Sequence, residues 1–191
     1  AVYAEAQKER GHLLGQLVKF DGLVRPSGVV LDVGCGPGWD TAILRSLQLT
    51  AFGLDFSPEM MRTGRDVHQV NTPFAQADMR HLPVGAQVDG LWVCASLLHL
   101  ERADVLPTLR EFHRVLKPGG ILYLSVKRGR GEQWVSSSYG QPFPRFYTYW
   151  QPEALDALLE TAVFQIIDGW QEKVRQVDWL IRYARKEEPD A

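Results

Sequence analysis

The stretch Val29-Val30-Leu31-Asp32-Val33-Gly34-Cys35-Gly36-Pro37-Gly38 constrains this chain more than any other, because a buried-strand signal runs straight into a glycine-rich turn. Aliphatic residues from Val29 to Val33 predict a strand, and the apolar-periodic segment opening at Trp39 predicts the helix that follows. Glycine at alternate positions between them allows φ > 0, or a backbone that approaches a ligand with no side chain intervening. Main-chain N–H groups then reach whatever is bound at the strand's carboxyl end. A second short apolar run, Thr50-Ala51-Phe52-Gly53-Leu54, ends in Asp55. That acid lies roughly 20 residues past the loop, where a nucleotide-binding α/β unit sets an acceptor on ribose hydroxyls. The loop spacing is Gly-x-Gly-x-Gly, not the Gly-x-Gly-x-x-Gly that seats a pyrophosphate on a helix N-terminus, which argues against NAD.

Helix and strand alternate along the chain. An amphipathic segment through about Phe20 precedes the first strand. Helices are expected at about Trp39 to Leu47, Pro58 to His68, Ala103 to Lys117 and from Pro152. Strands are expected near Ala51, Phe74, Leu91 and Leu122, and two closing strands near Val163 to Ile167 and Trp179 to Tyr183. Such alternation predicts a mostly parallel sheet covered on both faces. Ser57 suits a helix cap with Pro58 at the first helical position, and Lys117-Pro118-Gly119-Gly120 suits a helix stop with a cation in the last turn. Val105, Leu109, Phe112 and Leu116 form the expected buried face of that second helix. A length of 191 residues fits one domain, with residues 1–27 as an N-terminal helical segment and 128–150 as an insertion after the fifth strand.

A net charge of −2 gives no general electrostatic reason to expect nucleic acid, although it leaves a local patch open. Two cysteines do not make a disulfide framework, and neither a charged-then-apolar leader nor a membrane-length apolar run appears. A cytoplasmic setting without a membrane partner is expected; the oligomeric state is left open. No Cys/His cluster with zinc spacing appears, and scattered carboxylates do not make a metal site.

The whole set resembles the class I S-adenosylmethionine-dependent methyltransferases. Leu31-Asp32-Val33-Gly34-Cys35-Gly36-Pro37-Gly38 is similar to their first motif, Gly53-Leu54-Asp55-Phe56-Ser57-Pro58-Glu59-Met60-Met61 to their second, and Gln76-Ala77-Asp78-Met79-Arg80-His81-Leu82-Pro83 to their third. Val88-Asp89-Gly90-Leu91-Trp92-Val93-Cys94-Ala95-Ser96-Leu97-Leu98-His99-Leu100 resembles the fourth, and Glu111-Phe112-His113-Arg114-Val115-Leu116-Lys117-Pro118-Gly119-Gly120 the approach to the fifth strand. The resemblance is strongest from Val29 to Val126. It implies an α/β, Rossmann-like, doubly wound seven-stranded sheet, mostly parallel with an antiparallel last strand and helices on both faces. It also implies S-adenosylmethionine as cofactor.

By resemblance, Gly34 and Gly36 line the methionine portion, with Cys35 and Gly38 in the same loop, and Asp32 orients the loop and helps hold the ammonium. Asp55 takes the ribose hydroxyls, Phe56 flanks the adenine, and Asp78 accepts from its amino group. Met79 supplies a backbone N–H and an adaptable apolar wall, and the Cys94 carbonyl meets the ammonium. Each residue also has a plainer reading. The glycines make a tight turn, Asp32 caps a backbone group, and Asp55 with Ser57 starts a helix. Met60 and Met61 are expected in the core, and Cys35 as a small buried filler.

Methyl transfer asks for alignment more than for proton chemistry. If the acceptor must lose a proton, His99 after the fourth strand is the candidate base; otherwise it packs and donates one hydrogen bond. No Asn-Pro-Pro-Tyr or Asp-Pro-Pro-Tyr sequence follows that strand and Cys94 is preceded by Val93, which within the resemblance argues against amino methyltransferases of nucleobases or glutamine and against cytosine-C5 enzymes; a small-molecule acceptor is the expectation. The aromatic-rich insertion is read as a substrate lid or a packed flap. Trp134, Tyr139 and Tyr147 are its candidate substrate contacts, and Arg145 its candidate partner for an anionic group. Lys127, Arg128 and Arg130 form a short basic cluster of the kind that is usually solvated. Two other readings stay open: a SAM-binding regulatory or scaffold module without turnover, and a nicotinamide-dependent oxidoreductase.

Overall fold

Successive residues of the first strand point to opposite faces, and both faces are apolar: Val30 packs into one core cluster, Leu31 and Val33 into another. A strand buried on both sides needs helices above and below it. The computed structural model, which describes residues 11–136 and 144–187, has that arrangement. In chain order it runs α1 (Leu14–Leu23), β1 (Val29–Val33), α2 (Trp39–Ser46), β2 (Thr50–Asp55), α3 (Pro58–Asp66), β3 (Phe74–Gln76) and β4 (Val88–Cys94). Then come α4 (Arg102–Val115), β5 (Leu116–Lys127), β6 (Glu132–Val135), β7 (Arg145–Thr148), α5 (Pro152–Thr161), β8 (Phe164–Val174) and β9 (Val177–Lys186).

Seven strands form one sheet in the order β3-β2-β1-β4-β5-β9-β8. The first five are parallel, β9 is antiparallel to β5, and β8 is antiparallel to β9. The doubly wound fold and its antiparallel closing strand are therefore as expected. Leu109 and Phe112 of α4 and Leu155 and Leu159 of α5 cover one face. Leu17 and Phe20 of α1 and Leu44 of α2 cover the other, where Trp92 stacks on Tyr123 with centroids 3.6 Å apart. Full burial of one such side chain contributes about 1.5–3 kcal/mol. Strand order reverses between β1 and β4, which opens a crevice at the carboxyl ends of the strands.

Local signals set several boundaries. The Ser57 side chain accepts the Met60 N–H at 3.3 Å at the start of α3, with Pro58 in the first helical position. The stop of α4 is corrected: the helix ends at Val115, and Leu116 and Lys117 already belong to β5. Pro118 disfavours helical backbone at Lys117, whose ammonium instead meets Asp89 at 3.1 and 3.2 Å, leaving His113 and Arg114 in the last turn.

The insertion contains an unexpected element. β6 and β7 pair antiparallel as a separate ribbon, with Gln133 opposite Tyr147 and Trp134 opposite Phe146. The closing strands are longer than expected and join through Arg175 and Gln176, with φ of 47° and 67°. Positive φ at both central residues is the geometry that matches the twist of a two-residue hairpin. Among the described residues, no helix is long and apolar enough to cross a membrane.

Candidate active site

The glycine loop is held from three sides. Gly34 has φ 74°, and a Cβ there would lie 2.2 Å from Ser96 Cβ, so both backbone conformation and space call for glycine. Ser96 donates its hydroxyl to the Val33 carbonyl at 2.7 Å, while the N–H groups of Gly34 and Cys35 donate to the Leu54 carbonyl at 2.7 and 3.0 Å. At the end of β2, Asp55 accepts the Gly36 N–H on one oxygen at 2.7 Å and the Ser57 N–H on the other at 2.8 Å. Burial raises the Asp55 pKa above the usual carboxylate value, and those two N–H bonds oppose the shift.

Asp32 lies behind the loop, almost fully buried, and accepts the Thr41 hydroxyl at 2.6 Å. Gly38 caps α2 in the left-handed region at φ 85° and leaves room for the Phe74 ring. Cys35 is buried, and burial pushes its thiol pKa far up, with Asp32 and Asp55 adding to the effect; it is an unreactive filler whose residue borders the cleft.

Three adjoining compartments share Gly34 and His99. The first is a slot with Phe56, Asp78, Met79, Trp134 and Phe146 in its walls. Phe56 is 70% exposed and presents its ring on the slot side of β2. Asp78 is gripped by Arg80, with Nη2 at 2.7 Å, and Arg80 also reaches Asp104 at 3.0 Å. That guanidinium holds the Asp78 carboxyl below its ordinary pKa. The second compartment has Gly36, Asp55, Met60 and Ala95 in its walls. Met60 is thus a half-buried wall residue and not the core residue expected, whereas Met61 is buried.

The third compartment lies between β4, β5 and the β6–β7 ribbon, and is bounded by Cys94, Tyr123, Ser125, Lys127, Arg145 and Tyr147, with Glu172 and Trp179 from the closing strands. Ser125 donates to the Cys94 sulfur at 3.6 Å. Tyr147 is buried at 4% exposure, and the Lys127 ammonium sits 3.4 Å from its ring centroid. Trp134, in contrast, is 70% exposed and tilts against Phe146 with centroids 5.6 Å apart. Tyr139 lies outside the described residues.

His99 stands where the compartments meet, with its Nδ1 2.9 Å from the Phe146 carbonyl oxygen. A carbonyl only accepts, so Nδ1 carries the proton and, in the neutral ring, Nε2 is the bare acceptor. The cleft leaves His99 exposed by area, yet protein atoms crowd the ring from several sides, including Tyr147 at a centroid distance of 5.1 Å. This desolvation lowers its pKa; the Phe146 carbonyl opposes the shift, while Arg145 and Lys127 add to it.

The basic cluster after β5 divides. Arg128 and Arg130 are exposed, as expected of a solvated run, but Lys127 is half-buried and borders the cleft. The signal that finds it is the two-residue period of the strand, which puts Tyr123, Ser125 and Lys127 on one side. Glu172 and Trp179 carry no comparable sequence signal, because the sheet register brings them in from β8 and β9.

This strand order, with an acid at or beside the carboxyl end of each of the first three parallel strands and a glycine loop after the first, is the arrangement that the resemblance to the class I S-adenosylmethionine-dependent methyltransferases implies. More particularly, residues 30–120 match the family described as methyltransferase domain. The chain is 36% identical over 125 residues to a malonyl-[acyl-carrier protein] O-methyltransferase of Yersinia pestis, a match covering 64% of this chain and 44% of that protein. It is 38% identical over 110 residues to a trans-aconitate 2-methyltransferase of Azoarcus sp. (strain BH72), covering 56% and 42%. The matches thus span less than half the length of these relatives. A SAM-dependent methyltransferase structure from Methanosarcina mazei superposes with a TM-score of 0.78 at 18% identity, covering 88% of this chain and 96% of that one, a likeness of fold.

Proposed function

We propose that the protein transfers the methyl group of S-adenosylmethionine to a small-molecule acceptor. The carrying observation is the pairing of Asp55 with Gly36, which fixes a close-approach glycine loop beside a carboxylate at the cleft's centre. When bound, S-adenosylmethionine supplies an electrophilic sulfonium methyl. Gly34 and Gly36 let the backbone approach its methionine portion, Asp32 shapes the loop from behind with Gly38, and the Cys94 carbonyl at the end of β4 meets the ammonium. Each carboxylate oxygen accepts more than one hydrogen bond, so Asp55 keeps acceptor capacity for the ribose hydroxyls. Phe56 and Met79 close on the adenine, with Asp78 as its polar partner.

The third compartment holds the acceptor, with Arg145 and Tyr147 contributed by the ribbon, whereas Trp134 borders the first slot, beside Phe56 and Met79. Alignment in such a site supplies about 7–11 kcal/mol of barrier reduction. An acceptor that attacks as a neutral hydroxyl must lose a proton, and Nε2 of His99 is the group placed to take it. The relatives named for malonyl-[acyl-carrier protein] and trans-aconitate support a small organic acceptor group. Cys35 and Cys94, both thiols outside any disulfide, support a reducing, cytoplasmic setting.

The test has two parts: calorimetric binding of S-adenosylhomocysteine, and its release from S-adenosylmethionine across an acceptor panel. Product binding without turnover of any acceptor would favour a binding module, and NADH binding in preference to S-adenosylhomocysteine would favour an oxidoreductase.

A further inference from the structure

We infer that the acceptor is an organic carboxylate, held by Lys127 and Arg145 and converted to its methyl ester. This inference rests on the methyltransferase reading above and adds the chemistry of the substrate. Its starting point is Lys127, which ends β5 half-buried against the cleft. Among the described residues no carboxylate pairs with it, and its ammonium rests on the face of Tyr147, 3.4 Å from the centroid. A buried cation is ordinarily paired or hydrogen-bonded to an acid. Here the next charge bordering the same compartment is another cation, Arg145, and burial together with Arg145 lowers the Lys127 pKa against the favourable effect of Tyr147. Two like charges held together at the wall of a cavity are stabilised by an anion that enters it.

The compartment also contains an acid, Glu172, which accepts from Gln16 at 2.8 Å and from the Trp170 indole at 3.1 Å and forms no ion pair with Lys127. Leu98, Val174, Trp179 and Ile181 supply apolar wall beside these groups. The pattern therefore fits a carboxylate head on an apolar body, with the head between an ammonium and a guanidinium whose fork matches a planar carboxylate.

A carboxylate is already ionised at neutral pH, so it attacks without a base. One of its oxygens displaces the sulfonium methyl in line: the O–CH3 bond forms as the S–CH3 bond breaks, and the bonding pair stays on sulfur. The products are the methyl ester and neutral S-adenosylhomocysteine, and neither a proton nor an external electron is consumed. The ester has lost the charge that Lys127 and Arg145 recognise, which favours its release.

Calorimetry on protein saturated with S-adenosylhomocysteine, using benzoate, phenylacetate and hexanoate with their methyl esters as probes, tests this. At least one acid should bind about tenfold or more tightly than its ester, and Lys127→Met should remove about tenfold of that acid's affinity, as loss of a hydrogen bond to a charged group does. Lys127→Arg, which keeps the charge, should retain the preference, and the affinity of Lys127→Met for S-adenosylhomocysteine should stay within about threefold of wild type. Melting curves verify that each variant is folded. If no acid binds more tightly than its ester, or if folded Lys127→Met binds the acid as wild type does, the carboxylate assignment is overturned while the methyltransferase reading stands. If wild type fails to bind S-adenosylhomocysteine, both are overturned.

Discussion

Asp55→Asn is expected to loosen the glycine loop as well as the cofactor site. The two carboxylate oxygens accept separately, one from Gly36 and one from Ser57. An amide offers one acceptor oxygen and one NH2 donor, so whichever way the substituted side chain is turned, one of those N–H groups faces another donor. Losing one hydrogen bond to a charged group costs about 1.5–3 kcal/mol. Burial works in the opposite sense: it raises the Asp55 pKa despite both N–H bonds, so the charge is held less favourably than in water and its removal returns part of that cost. The net effect should fall at the lower end, about 1.5 kcal/mol, equivalent to a melting shift of about 3–6 °C for a domain of this size. Scanning calorimetry reads the shift, and titration with S-adenosylhomocysteine should show affinity reduced about tenfold or more. A variant that melts within about 1 °C of wild type and binds the product unchanged would refute both the loop-locking and the ribose roles.

Gly34→Ala should destabilise by more than the ~1–2 kcal/mol of left-handed strain, because its Cβ also overlaps that of Ser96. Adding Ser96→Gly should recover the overlap but not the strain, and a denaturation midpoint for Gly34→Ala equal to wild type would contradict this. The His99 imidazole, followed by NMR, should titrate below 6.5, its ordinary value. Since the folded pKa is the lower one, this group's stability contribution is present above 6.5 and is lost as pH falls from there through the folded value; a midpoint at or above 6.5 would remove the crowding argument. Trp150→Ala should cost about 3–5 kcal/mol, because the ring is buried under Arg102, whereas exposed Trp134→Ala should stay within about 0.5 kcal/mol of wild type by urea unfolding and show its effect in the KM for S-adenosylmethionine. Equal losses of stability would contradict that division of the ribbon.

Where signals are local and periodic, the sequence alone carried far. The strand, loop and helix from Val29 onward, the Ser57-Pro58 cap and the buried positions Val105, Leu109 and Phe112 follow from spacing within one or two turns. What escaped was set by partners distant in sequence. Glu132-Gln133-Trp134-Val135 has no turn dipeptide to announce a ribbon, and its pairing with Arg145-Phe146-Tyr147-Thr148 is a tertiary fact. Arg175-Gln176 takes a turn that ordinarily selects Asn-Gly because ten register pairs between β8 and β9 impose it. Asp55 was legible as an acid at a strand end, but not its grip on Gly36. Lys127 was hidden by its neighbours: the run Lys127-Arg128-Gly129-Arg130 has the composition of a solvated cluster, and only strand alternation separates its first member from the rest.

The ribbon's anchoring bears on how the acceptor would be chosen. Its root is tied to the sheet and to the start of α4: Thr148 donates to the Leu100 carbonyl at 2.5 Å, Glu132 accepts the Arg102 N–H at 2.6 Å, and the Arg102 guanidinium donates to the Tyr149 carbonyl at 2.7 Å. Tyr147, Thr148 and Trp150 are buried there. A hinge that swung the whole ribbon would break these bonds and expose two large aromatic rings, so any closing motion is confined to the side that carries exposed Trp134. At the root Tyr147 supports Lys127, and from there β7 runs outward to Phe146, whose carbonyl fixes the His99 tautomer, and to Arg145 opposite Val135 at the far end of the ribbon. Lys127 and His99 are therefore held before an acceptor arrives, so that in the proposed reading selectivity rests on a preorganised compartment more than on closure. For in-line methyl transfer that is the useful arrangement, because angular error at the attacking oxygen costs rate whether or not water has been excluded.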